Sequence, residues 1–199
     1  MTGQLILASG SRIRTELLEN AGVQIIAEPA RIDEESMKQA MQAESVAPRD
    51  MADALAEAKA KKVSRKHPGG LVLGCDQVLA FKGEILSKPI DQSDAIKQLE
   101  LLSGQTHNLY SAAVLYERTE PIWRHVGHVR LSMRDASQSY IKDYVTRNWD
   151  SIQESVGAYK LEEEGVRFFS RIEGDYFHVL GLPLLELLSY LTLRGTLQS

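Results

Sequence analysis

Short apolar runs alternate along this chain with longer stretches whose apolar residues recur at the spacing of a helix. Residues 4–8, QLILA, predict a first strand, and residues 12–22 predict a helix that turns Leu17 and Leu18 inward and ends at Gly22. Residues 23–29 predict a second strand. The chain therefore opens as strand, short polar loop, helix and strand.

Helical spacing dominates residues 36–66, with an interruption near Pro48. The spacing puts Met51, Leu55 and Ala58 on one inward face, with Lys62 next in the series. The lysines of this segment are expected on a solvated face: Lys59, Lys61 and Lys62.

The stretch 71–91, LVLGCDQVLAFKGEILSKPID, carries the residues best suited to chemistry. Its apolar start predicts a buried strand that ends at Asp76, a second short apolar run follows, and Lys82 and Gly83 predict a turn. The carboxylate of Asp76 can hold a metal or activate a water, and Lys88 can neutralise phosphate. The alternative is that Asp76 is a turn residue and Lys88 is solvated.

The remaining segments continue the same alternation. They are predicted as a helix (93–104) that stops at Gly104, a β-hairpin (106–116 and 122–133), a helix (137–149) with Ile141, Tyr144 and Val145 inward, a strand, a turn at 173–175 and another strand (165–183), and a closing helix (182–195).

The loop between the first strand and the first helix has the layout of an anion site, because N–H groups at a helix start point at a ligand and the helix dipole favours negative charge. Ser9 and Ser11 add hydroxyl donors. Arg12 and Arg14 stand in the first turn against the dipole preference, which suggests that they serve a ligand anion. The alternative is that Ser11 only caps the helix and the arginines are solvated. The loop is not a P-loop, since GxxxxGK[ST] is absent.

An acidic cluster follows the second predicted strand. Asp33, Glu34 and Glu35 are typical of a helix start or a turn, with metal binding as the alternative. The five histidines show no HExxH or other metal spacing. The single cysteine, Cys75, excludes an internal disulfide and is expected in the core.

Composition narrows the classes of partner. Hydrophobic residues make up 43% of the 199 residues and charged residues 25%, which is typical of an ordinary globular protein. The net charge of −4 argues against a general nucleic-acid binder. A basic start followed by a long apolar segment is absent, and no apolar run approaches the roughly 20 residues of a membrane span. We therefore expect a cytoplasmic protein without a stable nucleic-acid or membrane partner.

Several motifs in register resemble one family, the Maf-like nucleoside triphosphate pyrophosphatases. LILASGSRIRTELL resembles the family's opening motif, LILAS-x-S-P-R-R-x-x-LL. Further similar motifs follow in order: IDE at 32–34, LAEAKA at 55–60, GCDQV at 74–78, GEILSKP at 83–89, LELLSGQTH at 99–107, SVGAYKLEEEG at 155–165 and EGDYFHVLGLPL at 173–184.

The resemblance implies a fold and an activity. The fold would be α/β, with a long mixed twisted sheet flanked by helices in two lobes around a deep cleft, and a single Maf-like domain over 1–199. The family cuts nucleoside triphosphates between the α and β phosphates with a divalent metal cation, Mg²⁺ or Mn²⁺, and forms homodimers. The alternatives from other classes are a nucleotide-binding regulator of septum formation and a phosphatase that releases single phosphates.

The resemblance also implies roles for six residues. Asp76 matches the catalytic residue that accepts the proton of the attacking water, with metal binding as its other possible role, and Glu34 matches a carboxylate near the metal. The phosphate-site positions fall on Ser9, Arg14, Lys59 and Lys88. The opening motif departs from the family at Arg12 and Ile13, so Arg14 is expected to carry more of the phosphate binding.

Three positions are associated in the family with the choice of base, and here they are Ile13, Gln77 and Glu162. The branch that acts on 7-methyl-GTP reads Trp, Gln and Glu there, and the branch that acts on dTTP and UTP reads Arg, Thr and Gln. Two of the three positions favour 7-methyl-GTP, and Glu162 could accept hydrogen bonds from guanine. Ile13 cannot supply the cation–π contact of an indole. The alternative is that Glu162 is solvated in a loop.

Overall fold

The computed structural model describes residues 4–198, which form two compact units. The first unit comprises residues up to Gln77, Ser111–Gly127 and the chain from Gly181 onward, and the second comprises Val78–Tyr110 and His128–Leu180. The strands are β1 (Leu5–Leu7), β2 (Ile25–Ala27), β3 (Leu71–Phe81), β4 (Glu84–Leu86), β5 (Thr106–Glu117), β6 (Glu120–Met133) and β7 (Phe169–Glu173). The α-helices are α1 (Arg12–Asn20), α2 (Glu34–Ala43), α3 (Pro48–Ser64), α4 (Gln92–Leu102), α5 (Gln138–Ile152), α6 (Tyr176–Val179) and α7 (Leu184–Leu193), with short 3-10 helices at Val156–Ala158 and Glu164–Phe168.

The strands form one mixed sheet in the order β2-β1-β3-β5-β6-β7, with β4 beside β3. Strand β1 runs parallel to β2 and β3, whereas β3 with β4 and β6 with β7 are antiparallel pairs. The expected α/β fold, a long mixed sheet flanked by helices, is confirmed. Among residues 4–198, no helix has both the length and the apolar character needed to cross a membrane.

Strand β3 is longer than the sequence predicts. The structure has one strand of 11 residues, Leu71–Phe81, in which every residue except Gln77 is buried. The prediction that a strand ends at Asp76 is therefore wrong. Apolar residues on both faces favour a central strand covered on both sides, and the ladder continues through the two polar residues in its middle. Asp76 is held by a strand interior rather than by a turn.

Helix α3 buries a different face from the predicted one. Met51 and Leu55 are buried as predicted, but Ala58 is only half-buried and Lys62 is exposed. Lys59 is buried in their place, so its predicted solvated position is wrong. Because Ala52, Ala56 and Ala60 are also buried, the inward face includes a row of small residues beside the large apolar ones, and the spacing of the large residues does not reveal it.

Two tight turns follow the rules for hairpins. Arg118 and Thr119, with φ of 51° and 65°, join β5 to β6, and Lys82 and Gly83, with φ of 50° and 92°, join β3 to β4. Positive φ at both central residues matches the right-handed twist of hairpin strands. Both predicted turns are confirmed, and the first is shorter than the spacing of the apolar runs suggests.

The segment after β7 corrects one further prediction. Residues 176–179 form helix α6 rather than a strand, because the Asp175 side chain accepts a hydrogen bond from Phe177 N–H and caps the helix start. The predicted helices are confirmed at α1, α4, α5 and α7, and the inward residues of α5 are buried as expected: Ile141, Tyr144 and Val145.

Candidate functional site

A buried ion cluster lies in the first unit. Lys59 Nζ is 2.6 Å from Asp76 Oδ1 and 2.9 Å from Glu34 Oε1, and the side chains of Lys59 and Asp76 are only 10% and 5% exposed. Glu34 is the first residue of α2, and its side chain is 40% exposed. The structure thus brings three predicted site residues together, with the lysine between two carboxylates. This cluster is buried only at its Lys59–Asp76 end.

A glycine explains how Lys59 reaches Asp76. A Cβ built on Gly74 would lie 2.1 Å from the Ala56 carbonyl oxygen and 2.6 Å from the Ala60 nitrogen, both backbone atoms of α3. Only a residue without a side chain lets the helix approach the strand this closely. Side chains two residues apart in a strand share a face, so Asp76 faces α3 as Gly74 does. The close approach therefore sets Lys59 against Asp76.

The second carboxylate oxygen of Asp76 has no partner in the described part of the chain. Oδ2 is buried and makes no hydrogen bond, although Oδ1 accepts one from Lys59. Buried polar atoms without partners are rare and call for a physical reason. Carboxylate oxygens are the ligands that Mg²⁺ and Mn²⁺ prefer. Asp76 and Glu34 therefore fit a divalent cation, and Asp76 Oδ2 equally fits an attacking water.

The loop after β1 places Ser9 and Arg14 beside the same strand. Arg14 is buried, and its Nη1 donates to Ser9 Oγ at 3.2 Å and to the Cys75 carbonyl oxygen at 3.3 Å. Ser11 precedes α1 but makes no side-chain cap, and its N–H donates to Ser9 Oγ at 3.2 Å. The reading of Ser11 as a simple cap is therefore wrong. Arg12 is exposed and paired with Glu16, so only Arg14 of the two arginines points into the protein.

Cys75 has no reactive role in this arrangement. The residue is fully buried, and burial raises the pKa of its thiol to about 11, with Arg14 and Lys59 opposing the shift. A thiol with this pKa stays protonated near neutral pH and is a poor nucleophile. Cys75 is a core residue, as predicted.

The predicted specificity positions lie in different surroundings. Ile13 is half-buried in α1. Gln77 is half-buried at the end of the first unit, and its Nε2 donates to Ser111 Oγ of β5 at 2.9 Å. Neighbouring residues of a strand point to opposite faces, so the Gln77 side chain leaves β3 on the face opposite to Asp76.

Two predicted site residues belong to the second unit. Lys88 is exposed, and its Nζ pairs with Glu154 Oε2 at 2.7 Å. Glu162 is exposed in a turn before the second 3-10 helix. Burial raises the pKa of Tyr176, and the charge of Glu162 adds to this shift. The alternative of a solvated Glu162 agrees with this exposure. The base-recognition role of Glu162 stays a prediction.

Sequence reasoning missed two glycines and a serine that position the site. Gly74 admits helix α3, Gly181 offers its carbonyl oxygen to Arg14 Nε at 2.7 Å, and Ser111 holds Gln77. A glycine between large apolar residues in the strand 71–81 was a signal of close backbone approach. Gly181 and Ser111 carried no local signal, because their partners are distant in sequence.

Known proteins are similar to this chain over its whole length. A family model described as Maf-like protein matches residues 4–193. A "Nucleoside triphosphate pyrophosphatase" of Ruegeria pomeroyi is 62% identical with 100% of both chains covered, and a protein of the same name from Roseobacter denitrificans is 63% identical with 99% of both covered. A "7-methyl-GTP pyrophosphatase" of Mesorhizobium japonicum is 46% identical, again over 99% of both chains. This chain belongs to the Maf-like protein family.

Proposed function

We propose that the protein is a nucleoside triphosphate pyrophosphatase, which hydrolyses the bond between the α and β phosphates to release a nucleoside monophosphate and pyrophosphate. One observation carries the proposal: a buried Asp76 whose Oδ1 accepts a hydrogen bond from Lys59 while its Oδ2 has no partner among residues 4–198. The names of the full-length relatives support the same activity.

The residues of the first unit suit this chemistry. Asp76 is oriented by Lys59, so Oδ2 is the atom that receives the proton of the attacking water or holds a cation. The water oxygen bonds to the α phosphorus, the bond between the α phosphorus and the bridging oxygen breaks, and pyrophosphate leaves with the bonding electrons. A triphosphate carries about four negative charges near neutral pH. Lys59, the start of α1 and the Ser9 hydroxyl supply positive potential for that charge, and Lys88 of the second unit stays a predicted phosphate ligand.

A divalent metal is part of this proposal. Asp76 and Glu34 would hold it, since both carboxylates approach the same lysine nitrogen and Asp76 Oδ2 makes no hydrogen bond to any residue that the structure describes. When bound, such a cation supplies charge stabilisation for the phosphate oxygens and lowers the pKa of water. Lys59 keeps the two carboxylates close together without it.

The preferred base is proposed to be 7-methylguanine. Gln77 and Glu162 support this choice, and so do the names of relatives at 45–46% identity. Ile13 and the broader names of the relatives at 62–63% identity favour looser selectivity. A carboxylate at Glu162 matches the donors of a cationic methylated guanine, whereas a pyrimidine O2 facing it would be left unpaired, which costs about 1–3 kcal/mol.

The test is a panel of 7-methyl-GTP, GTP, dTTP and UTP with Mg²⁺ or Mn²⁺, in which pyrophosphate and orthophosphate are measured separately. We expect pyrophosphate, and the highest kcat/KM for 7-methyl-GTP. Glu162→Gln should lower kcat/KM for 7-methyl-GTP more than it lowers kcat/KM for UTP. Orthophosphate as the product would favour a phosphatase, and binding without turnover would favour the septum-formation regulator. A higher kcat/KM for dTTP or UTP than for 7-methyl-GTP would overturn only the assignment of the base.

A further inference from the structure

The guanidinium of Arg14 is bound on two sides by protein oxygens. Nε donates to the Gly181 carbonyl oxygen at 2.7 Å, and Nη1 donates to Ser9 Oγ at 3.2 Å and to the Cys75 carbonyl oxygen at 3.3 Å. The residue is only 9% exposed. Gly181 allows this approach, since a Cβ there would lie 3.0 Å from Arg14 Nη2 and its φ of +88° favours glycine.

These bonds leave no complete fork for a phosphate. A guanidinium grips an anion at two points through Nε with Nη2 or through Nη1 with Nη2. Nε donates its one hydrogen to the Gly181 carbonyl oxygen. Nη1 has two hydrogens, and Ser9 and Cys75 are their two acceptors. Each edge has therefore lost one of its two donors to the protein. A direct two-point contact between Arg14 and phosphate would require breaking a buried hydrogen bond.

The same bonds set the direction of the Ser9 hydroxyl. A hydroxyl oxygen accepts through two lone pairs and donates one proton. Ser9 Oγ accepts from Arg14 Nη1 and from Ser11 N–H, each at 3.2 Å, and the residue is 5% exposed. Within residues 4–198 the Ser9 hydroxyl accepts these two hydrogen bonds and donates none. The proton is thus left to donate to a ligand oxygen.

We propose that Arg14 is a positioning residue: it aims the Ser9 hydroxyl at a phosphate oxygen of the substrate and does not itself grip the phosphate. The inference rests on the proposed function, because a triphosphate is the anion that Ser9 would meet. It changes the role that the family resemblance implies for Arg14, from ligand of the phosphate to support of the residue that binds it.

The test is a double-mutant cycle on the binding of inorganic triphosphate, measured by calorimetry on the full chain. The variants are Ser9→Ala, Arg14→Lys and the two combined. Lysine keeps the charge, but its single nitrogen cannot stand at the positions of both Nε and Nη1. It therefore cannot donate to Gly181, Cys75 and Ser9 together. Each single variant should raise Kd on the order of tenfold or more, since one charge-assisted hydrogen bond is lost. The Kd of the double variant should be within about twofold of the Kd of the more weakly binding single variant, because Arg14 acts through Ser9.

Arg65→Lys, at an exposed arginine after α3, is the matched control and should leave Kd unchanged. Multiplying effects in the double variant, or an unchanged Kd in Arg14→Lys, would overturn the inference. Should Arg14→Lys fail to fold, hydrogen exchange of the wild-type Arg14 Nε–H by NMR decides. Protection without ligand, unchanged by triphosphate, supports the inference, and protection only with triphosphate contradicts it. Pyrophosphate release by the wild type is scored separately, so an inactive protein with a coupled cycle would refute only the proposed function.

Discussion

Single residues decide what this site can do, and Lys59 shows how burial changes a residue's meaning. Counted along a helix, it is one of three lysines near the end of α3. In the structure its ammonium lies between two carboxylates, and it is 8% exposed. A lysine in this position compensates a buried charge, which an exposed lysine does not do. Lys88, which is exposed beside Glu154, has no comparable structural role.

The contrast between the two lysines is testable. Lys59→Met should lower the free energy of unfolding by about 3 kcal/mol, because it leaves the buried Asp76 carboxylate without a partner. Lys88→Met should change it by less than about 0.5 kcal/mol, as expected for an exposed pair. Denaturant unfolding at pH 7 measures both. Asp76→Asn added to Lys59→Met should restore part of the loss, and a Lys59→Met protein as stable as the wild type would contradict the buried ion pair.

Asp76→Asn on its own separates chemistry from folding. Asparagine keeps an oxygen that can accept from Lys59 but cannot take a proton from water. We expect the fold and nucleotide binding to remain and kcat to fall at least about a hundredfold, the scale of one lost acid–base group. Circular dichroism, calorimetric binding and pyrophosphate release are the three measurements. Near-normal turnover would move the chemical role to Glu34.

At the scale of elements, the site depends on the contact between α3 and β3. The strand carries Asp76, the helix carries Lys59, and Gly74 sets the distance between their backbones. A side chain at Gly74 would meet backbone atoms, which cannot rotate away as a flexible side chain can. The close packing of the two elements is therefore a condition for the ion cluster.

Gly74→Ala should separate the helix from the strand. We expect a loss of about 3 kcal/mol or more in unfolding free energy, since a backbone must shift to admit the methyl group. Gly69→Ala is the control, because a Cβ there meets no atom of residues 4–198 within 4 Å. Thermal unfolding of both variants gives the comparison. Equal melting temperatures for the Gly74 variant and the wild type would show that α3 does not depend on this glycine.

At the scale of the whole molecule, stability should depend on pH through one buried histidine. His107 of the second unit is fully buried, and burial lowers its pKa from 6.5 to about 4. Its Nε2 lies 2.7 Å from the Tyr159 hydroxyl, its ring is beside Phe169, and its Nδ1 has no partner in the described residues. Folding therefore favours the neutral form of the His107 ring over the protonated form.

The sign of the effect follows from this lowered pKa. Above pH 6.5 the histidine is neutral whether the chain is folded or unfolded, so its contribution is complete there. As pH falls towards 4, the unfolded chain binds a proton that the folded chain resists, and stability is lost. At pH 5 the loss should be about 2 kcal/mol relative to pH 7. We measure the free energy of unfolding against pH by denaturant unfolding. His107→Gln should lose this pH dependence, whereas His128→Gln, at an exposed histidine, should keep it. Parallel slopes for all three proteins would contradict the assignment.

How far the site could be predicted differs from residue to residue. Asp76, Glu34 and Lys59 were found together only through a motif resemblance, because nothing local joins α2, α3 and β3. Spacing alone placed Lys59 on the solvated face, since the buried face of α3 extends from its large apolar residues across a row of alanines. The anion layout at Ser9 was visible locally, because strand, loop and helix are consecutive. The partners of Arg14 were not, as Cys75 and Gly181 are distant in the chain.

The sequence by itself determined most of the order of strands and helices, the tight turns and the residues available for chemistry, because these depend on short-range periodicity and on backbone preferences. The tertiary structure alone decided that β3 continues through Asp76 and that α3 lies close enough for Lys59 to reach this carboxylate. It also decided that Arg14 is hydrogen-bonded to Gly181, Ser9 and Cys75. Those outcomes depend on contacts between residues far apart in the chain. Their energies come from burial and hydrogen bonding, which no local pattern records.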